Sequence, residues 1–285
     1  MKLGICLRDE PVASLVRSAQ FTEELGLTHL FLPEEIRATP PDGMLAGRNP
    51  WVSLGAVFQA TEHLTCGVGV ACLPHWSMPH LALAAATLQE LSSGRFVLGV
   101  GVGHRETLSG VGIDYPEHPL AYTRERLHRL KGLTAAFGTE VPIVVGALGP
   151  RMTSVGAQHA DGVVLNWLSP DGARSAVDAC RADAQDRAVQ TILYVRIGPA
   201  EIIAADVKSY STRLSYRRHF ATQNLDGPAD ITAATCLPWN APAAALERLA
   251  EYEEAGIDVI CIYTRGLAPT VRETAMSFLR GHGFT

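Results

Sequence analysis

The sequence predicts an α/β protein, a (β/α)8 TIM barrel made of one domain over residues 1–285. Eight short apolar runs recur along the chain, and most are followed by a Gly or Pro signal and then by a segment with helical periodicity. Runs that are apolar throughout are typical of strands covered on both faces. Strict alternation of strand and helix makes such a sheet parallel, and eight units indicate a barrel.

The predicted strands are residues 2–7, 28–33, 64–72, 96–102, 142–147, 162–167, 191–197 and 257–263. The predicted helices are residues 11–25, 50–61, 79–92, 119–136, 150–160, 170–185, 242–255 and 270–280. An open doubly wound sheet has the same alternation and is the alternative architecture. Two segments are insertions in a minimal barrel, residues 35–49 after strand two and residues 198–237 after strand seven. Both follow carboxyl ends of strands, so we expect them to shape a substrate site.

Composition excludes several function classes. The 285 residues are 47% hydrophobic and 19% charged, with a formal net charge of -5, which gives the chain no electrostatic hold on a nucleic acid. The six cysteines have neither C-x-x-C spacing nor zinc-site spacing, and they are interpreted as buried apolar residues in a reducing cytosol. No metal site is expected.

A membrane location is not expected either. Residues 63–89 contain no charged side chain except histidine, but Pro74 and Pro79 divide them into halves too short to span a bilayer. The first apolar run ends at Arg8, so no signal peptide is indicated. The sequence therefore predicts a cytoplasmic protein.

Glycines at three strand ends indicate a ligand site. Gly99, Gly101 and Gly103 leave one face of strand four without side chains, which suits either a flat ligand or a tightly packed strand. Gly67 and Gly69 in strand three are typical of a bulge or of backbone close to a ligand.

The turn after strand five indicates an anion site. In VVGALGPRMTSVG, Gly146 and Gly149 free the turn, and Pro150 suits the first position of a helix. Backbone N–H groups at a helix start, together with the helix dipole, suit a phosphate. Arg151 either adds a charged contact or points to solvent, and a plain connection between strand and helix is the alternative for the loop.

Few ionisable residues follow the strands. The candidate acids and bases at the carboxyl ends are Arg8, Asp9, Glu10, Glu34, Glu35, His75 and His104. Adjacent residues on a strand point to opposite faces, so at most one of Glu34 and Glu35 is expected to face the barrel axis. The alternative is that these carboxylates pair with Arg8 or Arg37 at the rim.

The second insertion carries a local basic patch, formed by Arg213, Arg217, Arg218 and His219. This patch is interpreted as the solvated face of a helix. The alternative is contact with an anionic ligand tail or a partner subunit.

Three runs carry a resemblance to a known family. They are ATLQELSSGRFVLGVGVGH, VPIVVGALGPRMTSVGAQHADGVVLN and PAAALERLAEYEEAGIDVICIY. In order and position they resemble the bacterial luciferase-like superfamily, and most of all its F420-dependent oxidoreductases. The resemblance implies a barrel, commonly a homodimer, that holds a flavin-type ring at its carboxyl mouth. It also implies coenzyme F420, a deazaflavin that transfers hydride to or from a small-molecule substrate.

The resemblance also implies roles for individual residues. The cofactor-binding positions fall on Gly69, Val70, Val102, Gly103, Gly146, Ala147, Leu148 and Gly149. Within this set, a non-prolyl cis peptide falls at Gly69–Val70 and the phosphate loop on residues 146–149. The acid or base position falls on Glu35, with Glu34 beside it and His75 as a further candidate.

Two departures keep the substrate open. The pterin reductases of the family have a glutamate where this chain has Cys6, and the sugar-phosphate dehydrogenases have a histidine where it has Glu35. Neither substrate is therefore implied. An FMN-dependent monooxygenase is the alternative within the same fold, and a non-catalytic flavin-binding barrel is the alternative outside enzymes.

Overall fold

The computed structural model describes residues 1–8, 10–35, 48–264 and 266–279. The strands are β1 (Lys2–Cys6), β2 (His29–Leu32), β3 (Thr65–Cys72), β4 (Phe96–Gly101), β5 (Ile143–Gly146), β6 (Gly162–Asn166), β7 (Gln190–Arg196) and β8 (Val259–Tyr263). Each strand pairs in parallel with the next, and β8 pairs with β1 to close the sheet. The predicted barrel is confirmed, and the open sheet is excluded.

The α-helices surround the barrel and cover its mouth. They are α1 (Val12–Glu24), α2 (Pro50–Ala60), α3 (Met78–Leu91), α4 (Arg105–Gly110), α5 (Pro119–Ala136), α6 (Pro150–His159), α7 (Pro170–Ala184), α8 (Ala200–Ser211), α9 (Leu214–Ala221), α10 (Pro228–Thr235), α11 (Pro242–Glu254) and α12 (Pro269–Met276). Short 3₁₀ turns follow β3 (Leu73–His75) and α12 (Ser277–Leu279).

The structure adds to the sequence prediction in three places. Residues 198–237 form α8, α9 and α10, and α4 is an unpredicted short helix after β4. The last predicted helix, 270–280, ends earlier as α12 and continues as a 3₁₀ turn. Most of the 35–49 insertion lies outside the described residues, so its expected role stays a prediction.

Local sequence signals explain the helix starts. Proline occupies one of the first two positions of α2, α3, α6 and α7, where its missing N–H breaks no hydrogen bond. The side chain of Asn49 accepts hydrogen bonds from the N–H groups of Trp51 and Val52, which satisfies two free donors of α2.

Side chains fill the barrel, so its interior is a core and not a channel. This inner core consists of Cys6, Phe31, Val97, Val144, Val164, Ile192, Tyr194, Val259, Cys261 and Tyr263, with Val70 packed on it. The six cysteines are free and buried, as expected. Among the described residues, no helix combines the length and the apolar character that crossing a bilayer requires.

Candidate active site

A bulge in β3 forms the floor of the mouth. The register between β3 and β4 shifts between Val68 and Ala71, and the Gly69–Val70 peptide bond is cis, as the resemblance implied. The half-buried side chain of Val70 lies over the neighbouring strands. A Cβ added at Gly101 would lie 3.0 Å from Cγ2 of Val70.

Of the two roles left open for the strand-four glycines, close packing within the barrel is the one that the contacts of Gly99 and Gly101 show. A Cβ at Gly99, or at Gly146 of β5, would lie 3.2 Å from Cγ1 of Val70. The side chain of Val70 thus covers the glycine face of strand four. A ligand above this face would contact the isopropyl group of Val70. Gly103 is needed for another reason, because its φ of 70° is left-handed and a Cβ there would lie 2.6 Å from Sγ of Cys72.

The loop from Gly146 to Gly149, named here the anion loop, presents free backbone donors. The N–H of Ala147 donates to the Val164 carbonyl at 2.9 Å. The N–H groups of Leu148, Gly149 and Arg151 donate to no acceptor among the described residues. They lie at the start of α6, where the helix dipole is positive. The chemistry of this donor set suits a phosphate or a carboxylate.

Glu35 lies on the opposite side of the mouth, beyond the end of β2. Its carboxylate forms an ion pair with the guanidinium of Arg8, and its side chain is 26% exposed. Nη1 of Arg8 also donates to Oη of Tyr263 at 3.3 Å. The pairing with Arg8 considered from the sequence is therefore present.

Glu34 points away from this network. Its carboxylate accepts hydrogen bonds from Nε1 of Trp51 at 2.9 Å, from Nε1 of Trp76 at 3.1 Å and from the N–H of Cys72 at 2.9 Å. The two indole rings pack against each other, with centroids 5.0 Å apart. Glu34 therefore joins β2, α2 and the end of β3, and only one of the two carboxylates lines the mouth.

Two neutral histidines border the mouth. Both ring nitrogens of His75 are buried without a hydrogen-bond partner among the described residues. Burial lowers the pKa of His75, and the nearby Glu34 opposes this. Burial, together with the positive charge of Arg213, lowers the pKa of His104 to about 4, and its ring packs on Tyr216 with centroids 5.4 Å apart.

The remaining sequence candidates lie elsewhere. Asp9 is outside the described residues. Glu10 forms an ion pair with Arg272, which joins the start of α1 to α12. Glu10 nevertheless lines a small cavity together with Arg8 and Glu35.

Sequence reasoning missed the buried Arg196 at the end of β7. This residue is 2% exposed, its Nε lies 3.1 Å from Oδ2 of Asp206, and its Nη1 donates to Oδ1 of Asn166 at 2.7 Å. The guanidinium stacks on the rings of Trp167 and Tyr263, 3.6 and 4.9 Å from their centroids. The sequence signal that could have identified Arg196 is its position as a charged residue near the end of the apolar run 191–197.

The expected basic patch is only partly on the surface. Arg217 and Arg218 are exposed, whereas His219 is 7% exposed and faces inward. Burial lowers the pKa of His219, although the neighbouring carbonyls oppose this. His219 is therefore not part of a basic surface, which corrects the prediction.

One cavity in the described part of the chain lies away from the mouth. It has a volume of about 520 Å³ and lies between the start of α11 and α12, lined by residues such as Trp239, Val271 and Phe278. None of its lining side chains titrates, so it offers no group for proton transfer. The described residues also contain no cluster of three or more His, Cys, Asp or Glu placed to hold a metal ion.

Comparison with known proteins defines the family. The sequence model of luciferase-like monooxygenases matches residues 2–259. The chain therefore belongs to the luciferase-like monooxygenase family. It is 26% identical over 195 residues to a 5,10-methylenetetrahydromethanopterin reductase of Methanolobus tindarius, an alignment covering 62% of this chain and 57% of that protein. The chain spans about half the length of the curated relatives it matches.

Solved structures share the fold. An F420-dependent secondary alcohol dehydrogenase in complex with an F420-acetone adduct superposes with a TM-score of 0.81 at 14% identity, over 98% of this chain and 99% of that chain. The oxygenating constituent of 3,6-diketocamphane monooxygenase of Pseudomonas putida, in complex with FMN, superposes with a TM-score of 0.76 at 13% identity, over 99% and 97%. At such identities the likeness concerns the fold.

Proposed function

We propose that this chain is an oxidoreductase that transfers a hydride between coenzyme F420 and a small organic substrate at the mouth of the barrel. The observation that carries the proposal is a single mouth holding an anion loop and a paired carboxylate, in a chain related to a methanopterin reductase. F420, when bound, supplies the hydride chemistry, and the protein supplies binding, orientation and proton transfer.

The residues at the mouth fit such a cofactor. The N–H groups of Leu148 and Gly149 would hold an anionic group of its tail, and Arg151 lies beside them on the exposed start of α6. Val70 would support the ring with an apolar surface, with Val102 and Gly103 as further contacts. These assignments give Val70, Val102, Gly103, Leu148 and Gly149 a role in binding, whereas the N–H of Ala147 is already used by the Val164 carbonyl.

Glu35 is proposed to move the proton. Its pairing with Arg8 stabilises the charged carboxylate, which accepts a proton but has none to give. This state suits a general base that removes the hydroxyl proton of an alcohol. The carbon that bears this hydroxyl group would give up the hydride to the cofactor. Tyr263, which accepts a hydrogen bond from the same arginine, keeps Arg8 in place. His75 is the second candidate, because its neutral ring has unpartnered nitrogens.

The experiment that tests this function is a substrate screen with F420 followed by absorbance. The oxidised coenzyme and a panel of small secondary alcohols are mixed with the protein, and the reduced coenzyme is tested with ketones and imines. We expect protein-dependent bleaching or recovery of the deazaflavin absorbance with at least one compound class. Absence of turnover with every class, despite bound coenzyme, would contradict the proposal.

Glu35→Gln tests the assignment of the base. The amide keeps the size of the side chain but cannot accept the proton, so we expect kcat to fall by about 100-fold, with little change in the affinity for F420. Glu125→Gln, on the exposed face of α5, is the matched control and should keep wild-type kcat. Unchanged kcat in Glu35→Gln would remove this residue from the mechanism.

The alternative function is an FMN-dependent monooxygenase. A structure of the same fold was solved with FMN, and the anion loop is equally suited to the phosphate of FMN. Such an enzyme would consume oxygen and would need a source of reduced flavin. The preference for one of the two cofactors distinguishes the alternatives.

We infer that the protein is a homodimer through the outer faces of α2 and α3. Both helices are rich in apolar residues, and Val52, Leu83 and Leu91 are 74%, 51% and 44% exposed. In residues 49–91 the only side chains of acidic residues, lysine or arginine are those of Glu62 and Glu90. Apolar exposure with so little charge suits contact with a second copy of the same surface.

Leu83→Glu tests the dimer. A charge at the centre of this face would be repelled by its symmetry mate, so we expect the mass measured by light scattering to fall from two chains to one. Phe137→Glu, at another exposed apolar residue outside this face, is the control and should keep the dimer. A wild-type mass of one chain would contradict the proposal.

A further inference from the structure

A small cavity adjoins Glu35 on the outer side of the barrel wall. It has a volume of about 30 Å³ and lies between the segments that follow β1 and β2 and the starts of α1 and α2. Two of its apolar lining residues, Leu7 and Leu32, belong to the core between the barrel and its helices. Their neighbours Cys6 and Phe31 belong to the inner core, because successive side chains of a strand alternate between its faces. Glu35 is thus shared by the mouth and by a cavity outside the barrel.

The rest of the cavity lining is polar. It includes two acidic residues, two arginines and the buried Ser53, the charged residues being Arg8, Glu10, Glu35 and Arg48. The charges of this lining cancel, so it favours water over an ion, which would lose its hydration without a compensating charge. A buried water makes about two to four hydrogen bonds, and carboxylates and a hydroxyl can supply them. A volume of about 30 Å³ is enough for at least one water molecule.

Glu10 has a fixed position in this lining. Its carboxylate forms an ion pair with Arg272 and accepts hydrogen bonds from the hydroxyl groups of Ser14 and Ser18, both at 3.2 Å. Such a network holds the carboxylate oxygens in place. Glu10 therefore supplies a fixed hydrogen-bond acceptor in the cavity that Glu35 also lines.

Turnover requires a path for the proton that Glu35 accepts. In the proposed oxidation of an alcohol, the hydroxyl proton passes to the carboxylate of Glu35 and the hydride leaves from carbon. The proton on Glu35 then has to reach solvent before this carboxylate can act again. The mouth is where the substrate and the cofactor are proposed to bind. The cavity, in contrast, adjoins Glu10 and Arg48, which are partly exposed outside the barrel.

We propose that a water molecule in this cavity carries the proton between Glu35 and solvent, and that Glu10 and Ser53 are positioning residues that hold this water. The protonated carboxyl group of Glu35 donates its proton to the water oxygen as the water passes one of its own protons to solvent. The carboxylate is thereby restored, and no further reactant is needed. In the direction of reduction the same path delivers a proton to Glu35. The inference rests on the proposed function, in which Glu35 is the base.

A high-resolution crystal structure of the purified protein tests the water itself. We expect an ordered water within hydrogen-bonding distance of the Glu35 carboxylate and of either Glu10 or Ser53. This measurement requires neither cofactor nor turnover. A cavity in which no ordered water contacts Glu35 would overturn the inference.

Ser53→Val tests the path. Two methyl groups replace the hydroxyl group and take up part of the cavity, so we expect the water to be displaced. The protein is mixed with F420 and an alcohol that it oxidises, while the deazaflavin absorbance follows hydride transfer and a pH indicator follows proton release. The first hydride transfer should keep its rate, because Glu35 begins as a carboxylate. Proton release and kcat should fall about tenfold, which is less than the loss of the base itself.

Two further variants complete the comparison. Ser53→Thr keeps the hydroxyl group and adds only one methyl group, so we expect a smaller fall than in Ser53→Val. Thr134→Val is the matched control, because it replaces a buried hydroxyl group near the end of α5, away from the mouth, and it should keep the wild-type rates. If Ser53→Val does not fold, Ser53→Thr and the crystal structure decide.

Proton release at the wild-type rate in folded Ser53→Val would overturn the inference. In wild type, proton release only as fast as the reduced coenzyme dissociates would overturn it as well, because the proton would then leave through the mouth. Wild type without any F420-dependent turnover would contradict the proposed function too. A failure of the inference alone is therefore distinguishable from a failure of the proposed function.

Discussion

Glu34 and Glu35 are neighbours in the chain, yet they have different surroundings because successive side chains leave an extended segment on opposite faces. Glu35 reaches Arg8 at the mouth, whereas Glu34 accepts hydrogen bonds from two indoles and one backbone N–H. A carboxylate accepting several hydrogen bonds holds the surrounding donors in place. The structural role of Glu34 is thus separate from the proposed chemical role of Glu35.

Glu34→Gln is expected to lower stability. The amide replaces one acceptor oxygen with a donor that faces other donors, which costs about 1–3 kcal/mol in free energy of unfolding. Urea denaturation followed by tryptophan fluorescence measures this loss, and Trp51 and Trp76 are themselves reporters. Stability equal to that of wild type would show that these hydrogen bonds are not needed.

The sequence predicts part of the site at the residue scale. Glycine positions and the alternation of Glu34 and Glu35 follow from backbone geometry, so they could be read from the sequence. The contacts of Arg196 and His219 could not, because they depend on where the second insertion folds. His219 follows Tyr216 by three residues and precedes Gln223 by four, a helical spacing that would have placed all three on one face.

At the scale of elements, α8, α9 and α10 form a cap over the ends of β6 and β7. Their apolar side chains share one cluster with Trp167, including Ile203, Val207 and Phe220. The buried pair of Arg196 and Asp206 joins β7 to α8. The cap is therefore held on the barrel both by apolar packing and by the buried ion pair between Arg196 and Asp206.

Asp206→Asn is expected to destabilise the protein strongly. It leaves the Arg196 guanidinium buried without its compensating charge, a change that costs about 3–5 kcal/mol. Asp178→Asn, at an exposed residue in the middle of α7, is the control and should change stability by less than about 0.5 kcal/mol. Thermal or urea unfolding of both variants measures the difference, and equal stabilities would contradict a role for the buried pair.

Strands and long helices were predictable because each has its own hydrophobic period, and most bounds agree within one or two residues. The helices of the cap were not located individually. They are short, from 8 to 12 residues, and short helices are stabilised by packing more than by their own sequence. The site residues they contribute were missed for the same reason.

At the scale of the whole molecule, barrel closure places the proposed functions on opposite sides of one mouth. β1 and β5 are four strands apart in a ring of eight, so Arg8 and Glu35 face the anion loop across the bulge at Val70. A cofactor held by its tail at β5 and supported by β3 would extend its ring toward the base. This arrangement is the central claim for the molecule.

The most direct measurement is a pair of titrations of the purified protein, one with coenzyme F420 and one with FMN, followed by fluorescence or calorimetry. We expect tight binding of F420 with little affinity for FMN. The opposite preference would contradict this expectation and would favour the monooxygenase alternative. Binding of neither cofactor by the folded protein would contradict the enzymatic account as a whole.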